Sequence, residues 1–154
     1  IEALFNYDLL VSNNTYSLPI SFGYTYTNTK FLNSFGSSDD LWGTVEAGDQ
    51  LPYIPEHQFN MMLSLEHEKF ELNASSRYLG AFRTQAGTGT IPDNEKVDSN
   101  FVVDFSAKYH VNQHLSLTSN IINVFDATYA VSRVPAGLRP GHPFGANLGL
   151  EFRL

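Results

Sequence analysis

Pro143-Phe144-Gly145-Ala146-Asn147-Leu148-Gly149-Leu150-Glu151-Phe152-Arg153-Leu154 is the stretch whose reading decides the fold. Phe144, Ala146, Leu148, Leu150, Phe152 and Leu154 share one parity, and Gly145, Asn147, Gly149, Glu151 and Arg153 share the other. Side chains of a strand alternate between faces, so strict alternation reads as a strand with two unlike faces. A half-buried strand of a soluble sheet has the same period. Here, however, the pattern persists for about a dozen residues with both charges on one side, as in a barrel strand with lipid outside and a polar lumen inside. On this reading the six apolar residues are membrane-facing.

Composition supports that direction. Charged residues make up 16% of the 154, aromatics make up 14%, with 12 Phe and 8 Tyr, and there is no cysteine. Charge is therefore below the usual quarter of a soluble domain, and neither a disulfide framework nor a thiolate metal site is available. No run approaches the ~18 consecutive apolar residues of a membrane helix, so a membrane protein of this composition has to be a barrel. The formal net charge of −7 argues against nucleic acid as a partner, because phosphate binding needs a basic face.

The same alternation recurs upstream. Ile1, Ala3, Phe5, Tyr7 and Leu9 form the apolar parity of a first strand, and Leu18, Ile20, Phe22, Tyr24 and Tyr26 that of a second over 17–27. Pro19 cannot donate to a ladder and belongs near a strand end. A third strand carries Phe59, Met61, Leu63 and Leu65, and a fourth Phe70, Leu72, Ala74, Tyr78 and Phe82. A fifth has Phe101, Val103, Phe105, Ala107 and Tyr109, a sixth Leu115, Leu117 and Ile121, and the closing stretch is the seventh. None of these apolar parities contains Asp, Glu, Lys or Arg.

Connections between the seven alternate short, long, short, long, short, long. Outer-membrane barrels connect their strands this way, with short periplasmic turns and long external loops. The fold class expected is all-β, with antiparallel transmembrane strands that are part of a larger barrel. About seven strands cannot close one, since the smallest barrels have about eight and an open edge is not viable in hydrocarbon. The missing strands are expected ahead of Ile1.

Three motifs sharpen this. Asn123, Val124, Phe125, Asp126 and Tyr129 spell N-V-F-D-x-x-Y, followed by Pro135-Ala136-Gly137-Leu138-Arg139-Pro140-Gly141 and the last strand. Gly48-Asp49-Gln50-Leu51-Pro52-Tyr53-Ile54-Pro55-Glu56-His57 leads from the first long loop into a strand, and Tyr24-Thr25-Tyr26-Thr27 precedes that loop. Their order and spacing resemble the C-terminal third of a TonB-dependent outer-membrane receptor, across residues 1–154. The loop from Val131 to Gly141 resembles receptors of the ferric-citrate and siderophore type. Two features depart from that pattern: the last residue is Leu154 rather than an aromatic, and Pro143-Phe144 stands where many members have Pro-Arg.

The resemblance implies a plugged barrel on the order of 22 strands, an N-terminal plug supplied upstream, and energy from the periplasmic TonB protein. It also implies uptake of an iron chelate, with no cofactor of the receptor's own. Read by themselves, Asp126 suits a loop start through bonds to its own following backbone, and Phe125 and Tyr129 suit the aromatic girdle.

Arg77, Arg133 and Arg139 are the candidate ligand contacts, because guanidinium pairs bidentately with the carboxylates of anionic ferric chelates. Wet barrel lumens carry charge in any case, so a solvated role competes with that reading. Asp39, Asp40, Glu46 and Asp49 lack EF-hand spacing and read as a solvated loop, and the five histidines share no familiar ligand spacing. No G-x-S-x-G, H-E-x-x-H or phosphate loop is present, so the chain is not expected to be an enzyme. The competing architectures are a passive porin or adhesin barrel, and a soluble β-sandwich binding module whose apolar faces pack on one another.

Overall fold

The computed structural model describes residues 1–13, 15–38, 42–134 and 136–153. Among them the strands are, in order, β1 (Glu2–Asp8), β2 (Tyr16–Ser17), β3 (Pro19–Tyr26), β4 (Phe35–Gly36) and β5 (Thr44–Val45). Next come β6 (His57–His67), β7 (Phe70–Leu79), β8 (Phe82–Arg83), β9 (Lys96–Val97) and β10 (Asn100–His110). The last are β11 (Leu115–Ile122), β12 (Ala130–Ser132), β13 (Arg139–Pro140) and β14 (Gly145–Phe152). No helix among the described residues is long and apolar enough to cross a membrane.

One antiparallel sheet runs β1-β3-β6-β7-β10-β11-β14, with β2 paired to β6. Its register aligns the apolar parities across the sheet. Leu65 lies opposite Leu72, Leu72 opposite Ala107, Ala107 opposite Ser119, and Ser119 opposite Leu148. One row on, Glu66, Glu71, Lys108, Thr118 and Gly149 align on the other face. A slip of one residue in any pair would turn an apolar set toward the polar side, so the period of two itself fixes the register.

The apolar face is not buried within the chain. Leu148 is 90% exposed, and Phe5, Met61, Phe101, Leu150 and Phe152 are also open. A soluble sandwich would hide this face against a second sheet, whereas among the described residues it is left open. The polar face carries ion pairs of Lys108 and Arg153 with Glu151, at 2.6 and 2.9 Å, and places His110 3.6 Å from Glu71.

Boundaries differ from the sequence reading at several points. The second strand is broken at Leu18, where the amide donates to Asp8 Oδ1 rather than to a neighbouring strand, and Pro19 opens β3 as expected for a residue without a donor. The fourth strand stops at Leu79, and Phe82 is buried in β8 instead of lying on the outer face. The last strand pairs over Gly145–Phe152; Phe144 precedes it, and Leu154 lies outside the described residues.

Short connections (9–18, 68–69 and 111–114) sit at one end of the sheet and long ones (27–56, 80–99 and 123–144) at the other. Each long connection folds a small ribbon of its own: β4 with β5, β8 with β9, and β12 with β13. Buried apolar side chains concentrate here. Val45, Phe82 and Val97 belong to these ribbons, and Val102 lies near the same end of β10.

Candidate functional site

The three long connections form one cap. Gln50 N–H donates to Gly87 O at 2.9 Å and Tyr53 N–H to Arg83 O at 2.8 Å, joining the first to the second. Tyr53 reaches the third: its hydroxyl donates to Val134 O at 3.0 Å and accepts from Val134 N at 2.9 Å, with Arg133 N at 3.4 Å and Ser132 Oγ at 3.3 Å beside it. Tyr53 has a φ of 61°, a region that bulky residues seldom occupy. Holding it there costs about 1 to 3 kcal/mol, offset by the bonds the residue makes to both neighbouring loops. Burial opposes ionisation of the Tyr53 phenol, but hydrogen bonds to Ser132, Val134 and Arg133 outweigh it and leave the pKa below the usual tyrosine value.

Between the first two loops lies a polar cleft of about 250 Å³, lined by Thr27, Thr29, Gln50, Glu56 and Arg83 among others. Arg83 is only 3% exposed. Its Nε donates to Gln50 Oε1 at 3.1 Å and its Nη2 to Gly89 O at 3.0 Å, while Gln50 Nε2 donates to Glu56 Oε1 at 2.9 Å. The guanidinium is thus linked to a carboxylate through an amide, which offsets part of the cost of burying its charge. Elsewhere in the second loop Lys96 bridges Asp93 and Asp98, at 3.3 and 3.0 Å, and hydrogen bonds to Asp98 and then Asp93 raise its pKa.

The N-V-F-D-x-x-Y motif ties the third loop to the sheet. Asn123 is 1% exposed with a φ of 51°, a conformation that asparagine tolerates better than most residues. Its amide Nδ2 donates to Ala127 O and His142 O, both at 2.9 Å, and its Oδ1 accepts from Ala127 N at 2.9 Å. Its backbone N–H donates to Asp104 Oδ1 at 2.7 Å. Asp126 does not bond its own following backbone. It accepts instead from Phe144 N at 3.0 Å, closing the loop where β14 begins. Tyr129 turns to the polar face rather than joining an outer girdle, and its hydroxyl accepts from Arg77 Nη2 at 2.8 Å. A Cβ at Gly141 would overlap the Tyr129 ring, so only glycine fits there.

The three arginines expected from sequence are held differently. Arg77 is tied to Tyr129, with its guanidinium carbon 5.9 Å from the ring centre. Arg133 Nε donates to Lys96 O at 3.0 Å. Arg139 lies in β13 opposite Ser132, exposed. Arg133 and Arg139 belong to the 123–144 loop, and Arg77 reaches it through Tyr129. Sequence reading missed Gln50, Tyr53, Arg83 and Asn123 as cap-building residues; the Pro52-Tyr53-Ile54-Pro55 setting was the only signal for Tyr53. Of the acidic loop residues, Asp39 and Asp40 lie outside the described residues, and Asp49 Oδ2 accepts from Glu46 N at 2.8 Å to close a turn. No group of three His, Cys, Asp or Glu poised for a metal occurs among the described residues.

Solved structures share this architecture. The siderophore receptor PiuA from Acinetobacter baumannii superposes with a TM-score of 0.71 at 17% identity, over 98% of this chain and 21% of that one. The ferric-catecholate import receptor Fiu from E. coli K12, closed form, gives 0.60 at 18% identity, over 98% and 27%. The copper transporter OprC gives 0.64 at 17%, over 98% and 22%. The chain therefore spans between a fifth and about a quarter of the lengths of these three. No curated protein matches the sequence. Residues 1–124 match the family model described as "TonB dependent receptor-like, beta-barrel". With its alternating faces, its long and short connections and that match, the chain belongs to the TonB-dependent receptor family and is part of the wall and loops of a Gram-negative outer-membrane β-barrel.

Proposed function

We propose that residues 1–154 form the C-terminal part of a receptor that takes up an iron chelate across the outer membrane with energy from TonB. The apolar face, including Phe144, Ala146, Leu148, Leu150 and Phe152, meets lipid. The polar face lines the lumen, and the long loops form the external mouth. TonB contact belongs to a plug-bearing region upstream of these strands.

The observation that supports the ligand reading is that Arg133 and Arg139 belong to one loop at the mouth, which Arg77 reaches through Tyr129. Ferric chelates of citrate and many siderophores are anionic, and charge-assisted bonds to guanidinium contribute about 1.5 to 3 kcal/mol when well formed. Arg139 is the most available of the three, because Arg77 and Arg133 already donate within the cap. The names of PiuA and Fiu, a siderophore receptor and a ferric-catecholate import receptor, support the same substrate class.

The test is equilibrium binding of the complete receptor to ferric citrate, ferric siderophores and copper(II). Replacing Arg133 and Arg139 by Gln together should weaken anionic ferric chelates by on the order of tenfold, with heat-modifiable gel migration reporting intact assembly. Unchanged affinity for every anionic chelate the receptor binds would reduce these arginines to solvated loop residues, and preference for bare copper would overturn the chelate reading.

A further inference from the structure

The outward face near the short turns is not uniformly bulky. Ala107 and Ser119 are direct cross-strand partners, and Leu72 and Leu148 flank them in the same row. Phe70, Tyr109 and Leu117 stand in the row toward the turns. Two small side chains among large ones leave a groove of about 370 Å³ whose lining includes all seven of these residues. That is within the size range of small-molecule sites, but its walls are open: Leu148, Leu117 and Tyr109 are all exposed.

Ser119 is the anomaly in this groove. Its neighbours in the row, Ala107 and Leu148, offer no polar side-chain atom, and its hydroxyl has no hydrogen bond among the described residues. A hydroxyl facing hydrocarbon without a partner is costly. Its depth bears on what could satisfy it. The Tyr109 row, where Phe70 stacks on His67 at 5.1 Å and lies 6.4 Å from Tyr16, has the aromatic composition of a membrane interface. Ser119 is two residues farther along the strand than that row, about 6.6 Å, or about 5 Å of depth at a strand tilt of ~45°. This is just inside the aromatic belt, where the ester groups of a phospholipid lie above its chains.

We infer that the groove is a phospholipid site, in which an acyl chain packs over Ala107 between Leu72 and Leu148 and a glycerol-ester carbonyl accepts the Ser119 hydroxyl proton. The inference rests on the reading of the apolar face as lipid-facing. Chains gain no hydrophobic energy by leaving other chains, so selectivity comes from packing in the groove and from the single hydrogen bond.

The experiment uses the complete receptor in vesicles of diester dioleoyl phosphatidylcholine or of its dialkyl ether analogue. Each preparation contains a trace of diester phosphatidylcholine bearing a nitroxide on one chain. Electron spin resonance measures the motionally restricted fraction of the probe. For the wild type this fraction should be about twofold higher in ether vesicles, because the ester probe outcompetes lipids that lack the acceptor. Ser119→Ala should abolish the difference between hosts, and Ala107→Leu with Ser119→Leu should lower the restricted fraction in both. Ser119→Leu alone adds bulk only outward and serves if the double variant assembles poorly. Equal restriction of the wild type in both hosts, or no effect of filling the groove, would overturn the site. Spontaneous disulfide dimers of Ser119→Cys in the vesicles would overturn it in favour of a second barrel on that face. Absence of any restricted probe for all variants would instead remove the lipid-facing reading itself, and the site with it.

Discussion

Tyr53 and Val134 are joined at both ends of one residue's polar backbone: the phenol donates to the Val134 carbonyl at 3.0 Å and accepts from the Val134 amide at 2.9 Å. The two lie on different long loops, so this side chain fixes their spacing. Tyr53→Phe keeps the ring against Phe82, 5.8 Å away between centroids, and removes only the hydroxyl. Leaving the Val134 amide unpaired, with its carbonyl held only by Ser132 Oγ at 3.3 Å, should cost about 1 to 3 kcal/mol locally. Hydrogen exchange at the Arg133 and Val134 amides of the complete receptor should accelerate by on the order of tenfold or more, with wall strands unaffected. Unchanged exchange at both amides would show that the hydroxyl does not hold the loops.

Asn123 is expected to be sensitive in two separable ways. Asn123→Ala deletes its side-chain bonds to Ala127 and His142 and strains the positive φ, and should destabilise the receptor by about 2 to 4 kcal/mol. Asn123→Gly removes the same bonds but adopts the backbone freely, so it should cost less than Asn123→Ala. Urea titrations in bilayers would compare them. If glycine proves the worse, backbone strain is not part of the cost.

Arg77 and Tyr129 should be energetically coupled. A double-mutant cycle with Arg77→Gln and Tyr129→Phe isolates their bond from changes elsewhere. Because Arg77 is exposed, screening by water limits the coupling to about 1 kcal/mol, at the low end for a charged donor. Additivity within error would mean that the 2.8 Å contact contributes nothing measurable.

The two faces of β14 should respond oppositely to charge. Leu148→Arg places a guanidinium on the apolar face one row inside the Tyr109 belt and should cost about 1 to 2 kcal/mol in a bilayer, whereas Asn147→Arg faces the polar side and should cost far less. Equal losses in refolding titrations, or the reverse order, would invert the assignment of the faces.

How much of this was legible in the sequence follows from which interactions repeat. Leu148 and Asn147 could be placed on opposite faces because two solvents, hydrocarbon and water, act on every second residue, and the pattern recurs in each strand. The alternation of loop lengths was equally readable. The cap was not, because its bonds join single residues far apart in the chain. Nothing local to Asp126 indicates that its carboxylate serves Phe144 rather than its own turn. Arg83 in its Gly/Thr-rich setting gives no sign that it will be buried against Gln50. Arg139 is open to solvent and belongs to a ribbon rather than an irregular loop. Residue types limit such partnerships without specifying them.

Placing Val45, Phe82 and Val97 in the loops rather than in the wall also decides how the receptor responds to temperature. Apolar side chains buried from water carry a large heat-capacity increment when exposed, whereas those already facing hydrocarbon exchange like for like on moving within the bilayer. The curvature of stability with temperature therefore resides in the mouth. Cooling weakens the packing around these valines while the hydrogen-bonded ladder of the wall is little changed, so the external opening loosens in the cold before the barrel does.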